Sequence, residues 1–364
     1  MKKIIFIVLV TFIFQKNICA QETILQRVDL PGSEIRKINS SIVPQQYELQ
    51  ISLPAGYDKG NKNYPVLYLL DAQWDFPLVR SLYGQQYYDG FIPEIIIVGI
   101  TWGGIHPNPD SLRARDYTPT KELRSPQSGG AALFLASLKN EIIPFVEKNY
   151  RADNTDRILI GCSLGGLFTL YTLFTEPALF QRYVAASPAF GWDKEVIYTY
   201  EQKYFENKST PPAKLFMCVG GVERGVPGFE RLAKHLSDRN YSSLQIQASV
   251  LENTGHSGTK GEGFARGLQF VFARPSLKLS AEVLKNYAGN YTADNGSAIE
   301  IRLINQSLEI YFAVNNKYQL FSADENYFYA NSEFLNIHFV KDEKNRITGF
   351  KMERYNDVRF FTKK

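Results

Sequence analysis

The chain has 364 residues, of which 44% are hydrophobic, 21% charged and 14% aromatic, with a formal net charge of +4. That composition excludes a disordered chain or a coiled coil, and the length favours two domains over one. Residues 1–20 hold Lys2, Lys3 and Lys16 and no acid, leaving 38 of the 41 basic residues against 37 acidic ones, so the basicity does not indicate a nucleic-acid partner.

The N-terminus opens with Met1-Lys2-Lys3, continues with an apolar stretch from Ile4 to Phe14, and reaches a small residue at Ala20. This is the layout of a cleaved secretory signal peptide spanning 1–20. The apolar stretch is short for a membrane span. Bulky Ile18 before Cys19 argues against lipid attachment there. Cys162 and Cys218 then remain, in separate apolar runs and without a C-x-x-C pattern. Two free thiols are expected.

From about residue 45 to 275, apolar runs alternate with amphipathic ones. The runs 46–53, 65–70, 94–100, 157–160, 183–186, 214–219 and 244–251 read as strands. Most are apolar throughout, as in strands covered on both faces. Helical periodicity falls over 131–147, 167–173, 228–236 and 263–272. This order predicts an α/β domain with a mostly parallel sheet, whose strand-end loops gather on one edge. After Pro275 the texture changes to short period-2 runs at 298–303, 308–312, 318–321, 327–329, 335–340, 350–354 and 358–361. They predict a small antiparallel β-barrel or β-sheet. The expected organisation is a signal peptide over 1–20, a catalytic domain over 21–276 and a β domain over 277–364.

The chemistry centres on Gly161-Cys162-Ser163-Leu164-Gly165-Gly166. G-x-S-x-G carries meaning only when it follows a buried strand, opens a helix and has small residues where backbones crowd. All three conditions hold, so Ser163 reads as a nucleophile at a sharp strand-to-helix turn. The N–H of Leu164 is the expected first oxyanion donor, beside the positive end of the new helix. Gln73, in the loop expected at Asp71-Ala72-Gln73-Trp74, is the expected second. In this architecture the acid and then the histidine follow the serine along the chain. Among four histidines, His256 lies in a glycine-flanked loop after the last parallel strand and reads as the base. Glu223 follows the preceding strand and reads as the acid, with Asp193 next and Glu252 third. Trp74, Trp102 and Trp192 all follow strands, which places them on the same edge as aromatic walls for a substrate. The chemistry calls for no metal and no organic cofactor.

The segments YPVLYLLDAQW (64–74), IIIVGI (95–100), RARDYTPT (113–120), GCSLGG (161–166), SPAFGW (187–192), VGGVE (219–223) and NTGH (253–256) resemble an esterase family of α/β-hydrolases. Its members include enterochelin esterases, feruloyl esterases, S-formylglutathione hydrolase and mycolyltransferases. The resemblance covers residues 35–275. It implies an α/β-hydrolase fold, Ser163 as nucleophile, His256 as base, Glu223 as acid, and Gln73 and Leu164 as oxyanion donors. The run Arg115-Asp116-Tyr117-Thr118-Pro119 resembles the branch holding periplasmic siderophore esterases. The C-terminal segment is similar to a small β-barrel module appended to secreted hydrolases. The expected function is a secreted or periplasmic serine esterase with a small-molecule ester substrate. An acyltransferase using the same acyl-enzyme is the alternative within the class. A catalytically silent glycan-binding protein is the alternative outside it.

Overall fold

The seven runs expected as strands between residues 45 and 251 all enter one sheet, joined at its edge by one more strand. In the computed structural model, residues 29–207, 209–355 and 357–364 are described; the expected signal peptide over 1–20 lies outside them. The strands are β1 (Ser33–Ser40), β2 (Gln45–Ser52), β3 (Tyr64–Leu69), β4 (Ile96–Trp102), β5 (Ala152–Cys162), β6 (Arg182–Ala186), β7 (Ala213–Gly220) and β8 (Leu244–Leu251). Their spatial order is β1-β2-β4-β3-β5-β6-β7-β8. β1 and β2 run antiparallel to their neighbours, and every pairing from β4 to β8 is parallel. β3 shows why both faces are covered. Val66 and Tyr68 enter one core, Leu67 and Leu69 the other, so both sets of alternating side chains are apolar.

The crossovers are α1 (Ala72–Tyr88), α2 (Pro109–Tyr117), α3 (Ala131–Ser137), α4 (Ile143–Asn149), α5 (Leu164–Thr175), the short turn α6 (Trp192–Glu195), α7 (Ile197–Glu206), α8 (Val226–Asp238) and α9 (Thr259–Phe272). Phe76 and Val79 of α1 pack with Phe264 and Leu268 of α9 on one face. On the other face, Tyr117, Phe134, Phe168, Tyr204 and Leu232 bring α2, α3, α5, α7 and α8 together. The helix expected over 131–147 is present, with a π-turn at Leu138–Ile142 between α3 and α4. This is the α/β-hydrolase arrangement. No helix among the described residues is long and apolar enough to cross a membrane.

One expected loop is a helix. Asp71-Ala72-Gln73-Trp74 is the start of α1, with Asp71 at its N-cap in the left-handed region (φ 57°, ψ 37°). Pro77 inside α1 masks the helix in the sequence, because proline normally breaks one. Burial of Phe76, Val79 and Tyr83 offsets that penalty.

Beyond α9 comes α10 (Ala281–Lys285), whose first turn is capped by Ser280 Oγ accepting from Val283 N at 3.3 Å. Then follow β9 (Gly289–Ala293), β10 (Ala298–Ile304), β11 (Ser307–Ala313), β12 (Asn316–Ser322), β13 (Tyr327–Tyr329), β14 (Leu335–Lys341), β15 (Ile347–Arg354) and β16 (Asp357–Lys363). They form a closed antiparallel barrel, sealed where β9 pairs with both β10 and β16. Tyr291, Ile301, Ile310, Ile337 and Phe350 fill it. Residues 32–364 pack as one compact unit. Arg274 ties the barrel to the sheet domain: Nη1 donates to Asn336 Oδ1 at 2.6 Å and Nη2 to the Gly90 carbonyl at 2.9 Å.

Candidate active site

Ser163 sits between the end of β5 and the start of α5 with φ 59° and ψ −118°. A side chain in that region is strained and persists only where the surroundings over-determine it. Those surroundings are specific. Ser163 N donates to the Ala186 carbonyl at 3.0 Å, and Ser163 O accepts from Leu167 N and Ala189 N, each at 2.9 Å. A Cβ on Gly161 would collide with the carbonyl group of Gly165, so the turn closes only with glycine there.

Two helix starts meet at this turn. Leu164 opens α5, and Gln73 is the second residue of α1. Their backbone N–H groups lie in first turns, where no intrahelical acceptor exists. Asp71 joins the two starts: its Oδ2 would lie 3.2 Å from a Cβ placed on Gly165. Asp71 is in turn gripped by Arg113, Nε to Oδ1 at 3.1 Å and Nη2 to Oδ2 at 2.8 Å. Its backbone N–H donates to Tyr117 Oη at 3.3 Å.

The RARDYTPT run thereby acquires a physical account. Arg113 and Tyr117 hold Asp71. Asp116, itself buried, accepts from Tyr47 Oη at 2.8 Å, Trp102 Nε1 at 2.7 Å and the Arg115 guanidinium at 2.6 and 3.0 Å. Sequence reasoning singled out the run but missed these roles. Each depends on which residue lies opposite across the fold.

His256 Nδ1 lies 2.6 Å from Glu223 Oε2. Glu223 Oε1 accepts from Ser187 Oγ at 2.6 Å and from Gly220 N at 2.7 Å. Burial pushes the Glu223 carboxyl up, but the hydrogen bonds from Ser187, His256 and Gly220 N outweigh it and leave it below its ordinary value. An ionised carboxylate only accepts. The shared proton therefore sits on His256 Nδ1, which leaves Nε2 of the neutral ring able to take a proton. Ser163 Oγ makes no hydrogen bond to His256 or to any other described residue. Of the other candidate acids, Asp193 lies in the turn after β6 with its N–H on Glu122 Oε1 at 2.6 Å, and Glu252 makes no hydrogen bond to His256.

The tryptophans divide. Trp74 is 48% exposed beside Gln73, with the Arg113 guanidinium 5.6 Å and the Lys260 ammonium 5.7 Å from its ring. Trp192 is half-buried, its Nε1 donating to the Thr120 carbonyl at 3.2 Å. Trp102 departs from the expected role as a pocket wall. It is 4% exposed, packs on Tyr117 and donates to Asp116. Lying at a strand end placed it near the right edge, but the buried Asp116 carboxylate draws its indole inward.

Cys162 and Cys218 are buried free cysteines, and burial pushes each thiol up to about 12. His235 leans on buried Glu201, Nε2 to Oε2 at 2.7 Å, and His338 stacks on Tyr327 in the barrel.

The sheet order and the strand-turn-helix at Ser163 define an α/β-hydrolase. Within that class, residues 40–219 match the family model described as "Putative esterase". Ferri-bacillibactin esterase BesA of Bacillus subtilis is 32% identical over 263 residues, covering 66% of this chain and 90% of that protein. The siderophore triacetylfusarinine C esterase of Aspergillus fumigatus is 26% identical, over 60% of this chain and 78% of that protein. Among solved structures, the BES protein from Bacillus cereus superposes with a TM-score of 0.63 and 27% identity, over 68% of this chain and 97% of that one. An IroE-like serine hydrolase from Shewanella oneidensis gives a TM-score of 0.58 and 26% identity, over 70% of this chain and 81% of that one. The chain belongs to this esterase family and is a carboxylic ester hydrolase.

Proposed function

We propose that the chain is a serine esterase working through an acyl-enzyme on Ser163. His256 Nε2 takes the hydroxyl proton as Oγ bonds to the ester carbonyl carbon. The oxyanion rests on the N–H groups of Leu164 and Gln73. As the intermediate collapses, the ester C–O bond breaks and the leaving alcohol takes the proton from His256. Water, deprotonated by the same imidazole, then releases the acid. Glu223 fixes the ring's tautomer and stabilises the imidazolium. The observation that carries this reading is the 2.6 Å approach of His256 Nδ1 to Glu223 Oε2. Hydrogen bonds to the nucleophile in such sites commonly tighten only when substrate is bound.

The substrate in this reading is an aryl or catecholate ester of the siderophore kind, secondarily a carbohydrate-linked aryl ester. The names of the two curated relatives, a ferri-bacillibactin esterase and a siderophore triacetylfusarinine C esterase, support the siderophore part of this reading. Trp74, an exposed flat ring beside Gln73, suits an aromatic group on that ester. The reading of residues 1–20 as a signal peptide puts the reaction in the periplasm or outside the cell.

A fluorophosphonate probe tests the mechanism, because it reacts only with an activated serine. Stoichiometric labelling of the wild type, lost in Ser163→Ala, is expected. Absence of labelling, or labelling that persists in the variant, overturns it. Hydrolysis rates on a panel of catecholate, feruloyl and acetyl esters test the substrate class. Acetyl esters outpacing the catecholates would refute it.

A further inference from the structure

We infer that Ser187 is a positioning residue for this reaction: its hydroxyl holds the Glu223 carboxylate, and through it the His256 ring, in working orientation. The inference rests on the serine-esterase reading and extends it to a residue outside the nucleophile, base and acid.

Ser187 follows β6 directly and touches the segments after β7 and β8, while its neighbour Ala186 meets the serine turn. Its backbone N donates to the Cys218 carbonyl of β7 at 2.7 Å. Ala186, its neighbour, receives the N–H of Ser163 at 3.0 Å. Its Oγ lies 2.6 Å from Glu223 Oε1 and 3.1 Å from Thr259 Oγ1. Thr259 in turn donates to the His256 carbonyl at 2.6 Å. One small side chain therefore bridges the acid and the loop carrying the base.

Counting protons decides what the hydroxyl does. Ser187 has one O–H hydrogen and two acceptor lone pairs. The Thr259 hydrogen is used on the His256 carbonyl. The Ser187 hydrogen can point to Glu223 or to Thr259, and ionised Glu223 is both closer and charged. Glu223 Oε1 then has two donors, Ser187 and Gly220 N. Its Oε2 is left for the imidazole alone. The carboxylate cannot rotate without giving up a charge-assisted bond. His256 needs this support, because its side chain is 49% exposed and its loop is flanked by Gly255 and Gly258.

The backbone supplies an independent argument. Ser187 has φ 37°, in the left-handed region where any residue with a Cβ is disfavoured relative to glycine. Glycine would relax the turn, so the residue present keeps a hydroxyl at the expense of strain. This opposition separates a positioning role from a merely structural one.

The test compares Ser187→Gly and Ser187→Ala with the wild-type full chain, using p-nitrophenyl butyrate as the ester. The expected result is a kcat lower by about 10- to 100-fold in both variants, the worth of one hydrogen bond to a charged group, with KM near wild type. The melting temperature of Ser187→Gly should lie above that of Ser187→Ala, because both lose the hydroxyl and only glycine relieves the backbone strain. In the proton NMR spectrum, the low-field signal of the His256 Nδ1 hydrogen should shift or broaden in both variants. Wild-type kcat in Ser187→Gly, or an unmoved low-field signal, overturns the inference. Ser163→Ala and His256→Ala run alongside. If they retain turnover, the serine-esterase reading itself fails. If they are dead while the Ser187 variants match wild type, only the role of Ser187 falls.

Discussion

Arg113 and Asp71 form a two-pronged ion pair beside the Ser163 turn, Nε to Oδ1 at 3.1 Å and Nη2 to Oδ2 at 2.8 Å, with the carboxylate 2% and the guanidinium 16% exposed. Asp71 is also the N-cap of α1 and lies against Gly165 of the serine turn. Arg113→Ala would strand a buried carboxylate between the two helix starts. The expected loss is about 3–5 kcal/mol of stability in chemical denaturation, with a fall in kcat as the N–H groups proposed to hold the oxyanion lose their register. Arg113→Lys keeps the charge but loses the fork, and should fall between wild type and alanine on both measures.

The groups proposed to do the chemistry should fail together and to different depths. Ser163→Ala and His256→Ala are each expected to lower kcat by about six orders of magnitude, and Glu223→Gln by about four. Single-turnover and steady-state rates on p-nitrophenyl butyrate check this. Additive losses in the Ser163→Ala/His256→Ala double variant would contradict a common step.

Trp74 and Trp102 should respond in opposite ways. Trp74 is half-exposed beside Gln73, so Trp74→Ala is expected to raise KM for aryl esters about two- to tenfold, the worth of one aromatic contact, with kcat and the melting temperature unchanged. Trp102→Phe removes a donor to buried Asp116 and should lower stability by about 1–3 kcal/mol. Michaelis parameters and thermal melts of the two variants decide it.

Much of the architecture was legible because of how a doubly covered sheet looks in one dimension. Ile158, Leu159 and Ile160 must all be apolar when helices cover both faces, and the switch to period-2 runs after Pro275 marks the barrel. The serine turn is a local object, written in Gly161, Gly165 and Gly166. The parts that stayed hidden are held by distant partners. β1 reads Ser-Glu-Ile-Arg-Lys-Ile-Asn-Ser and lies at an exposed sheet edge, so it carries no buried face to betray it. β9 is short and is defined by its two neighbours. Ser187 and Arg113 matter through residues 36 and 42 positions away, and no local pattern marks such pairs.

Glu141 offers a pH test away from the site. Its carboxylate accepts from Ser40 Oγ, from Ser41 N at 2.8 Å, Ser41 Oγ at 2.7 Å and Ser137 Oγ at 2.8 Å. Burial raises its pKa, but the bonds from Ser40, Ser41 and Ser137 prevail and hold it at about 2. A carboxyl held below its unfolded value, about 4.3, stabilises the fold fully above that pH and loses the contribution as pH falls through the folded value. Glu141→Gln should therefore show a lower denaturation midpoint than wild type at pH 7. The gap should be constant down to about pH 5 and narrow below about pH 4. A gap that widens on acidification would refute this.

The sealing of the barrel by β9 and β16 fixes an order of events at the ribosome. The last strand of the hydrolase sheet ends at Leu251, whereas β16 begins at Asp357, more than a hundred residues further along the chain. Every strand of that sheet can leave the exit tunnel and pair while translation continues. The barrel cannot close until β16 has emerged as well, so a nascent chain stalled before Asp357 would present β9 and β15 as raw, adhesive edges.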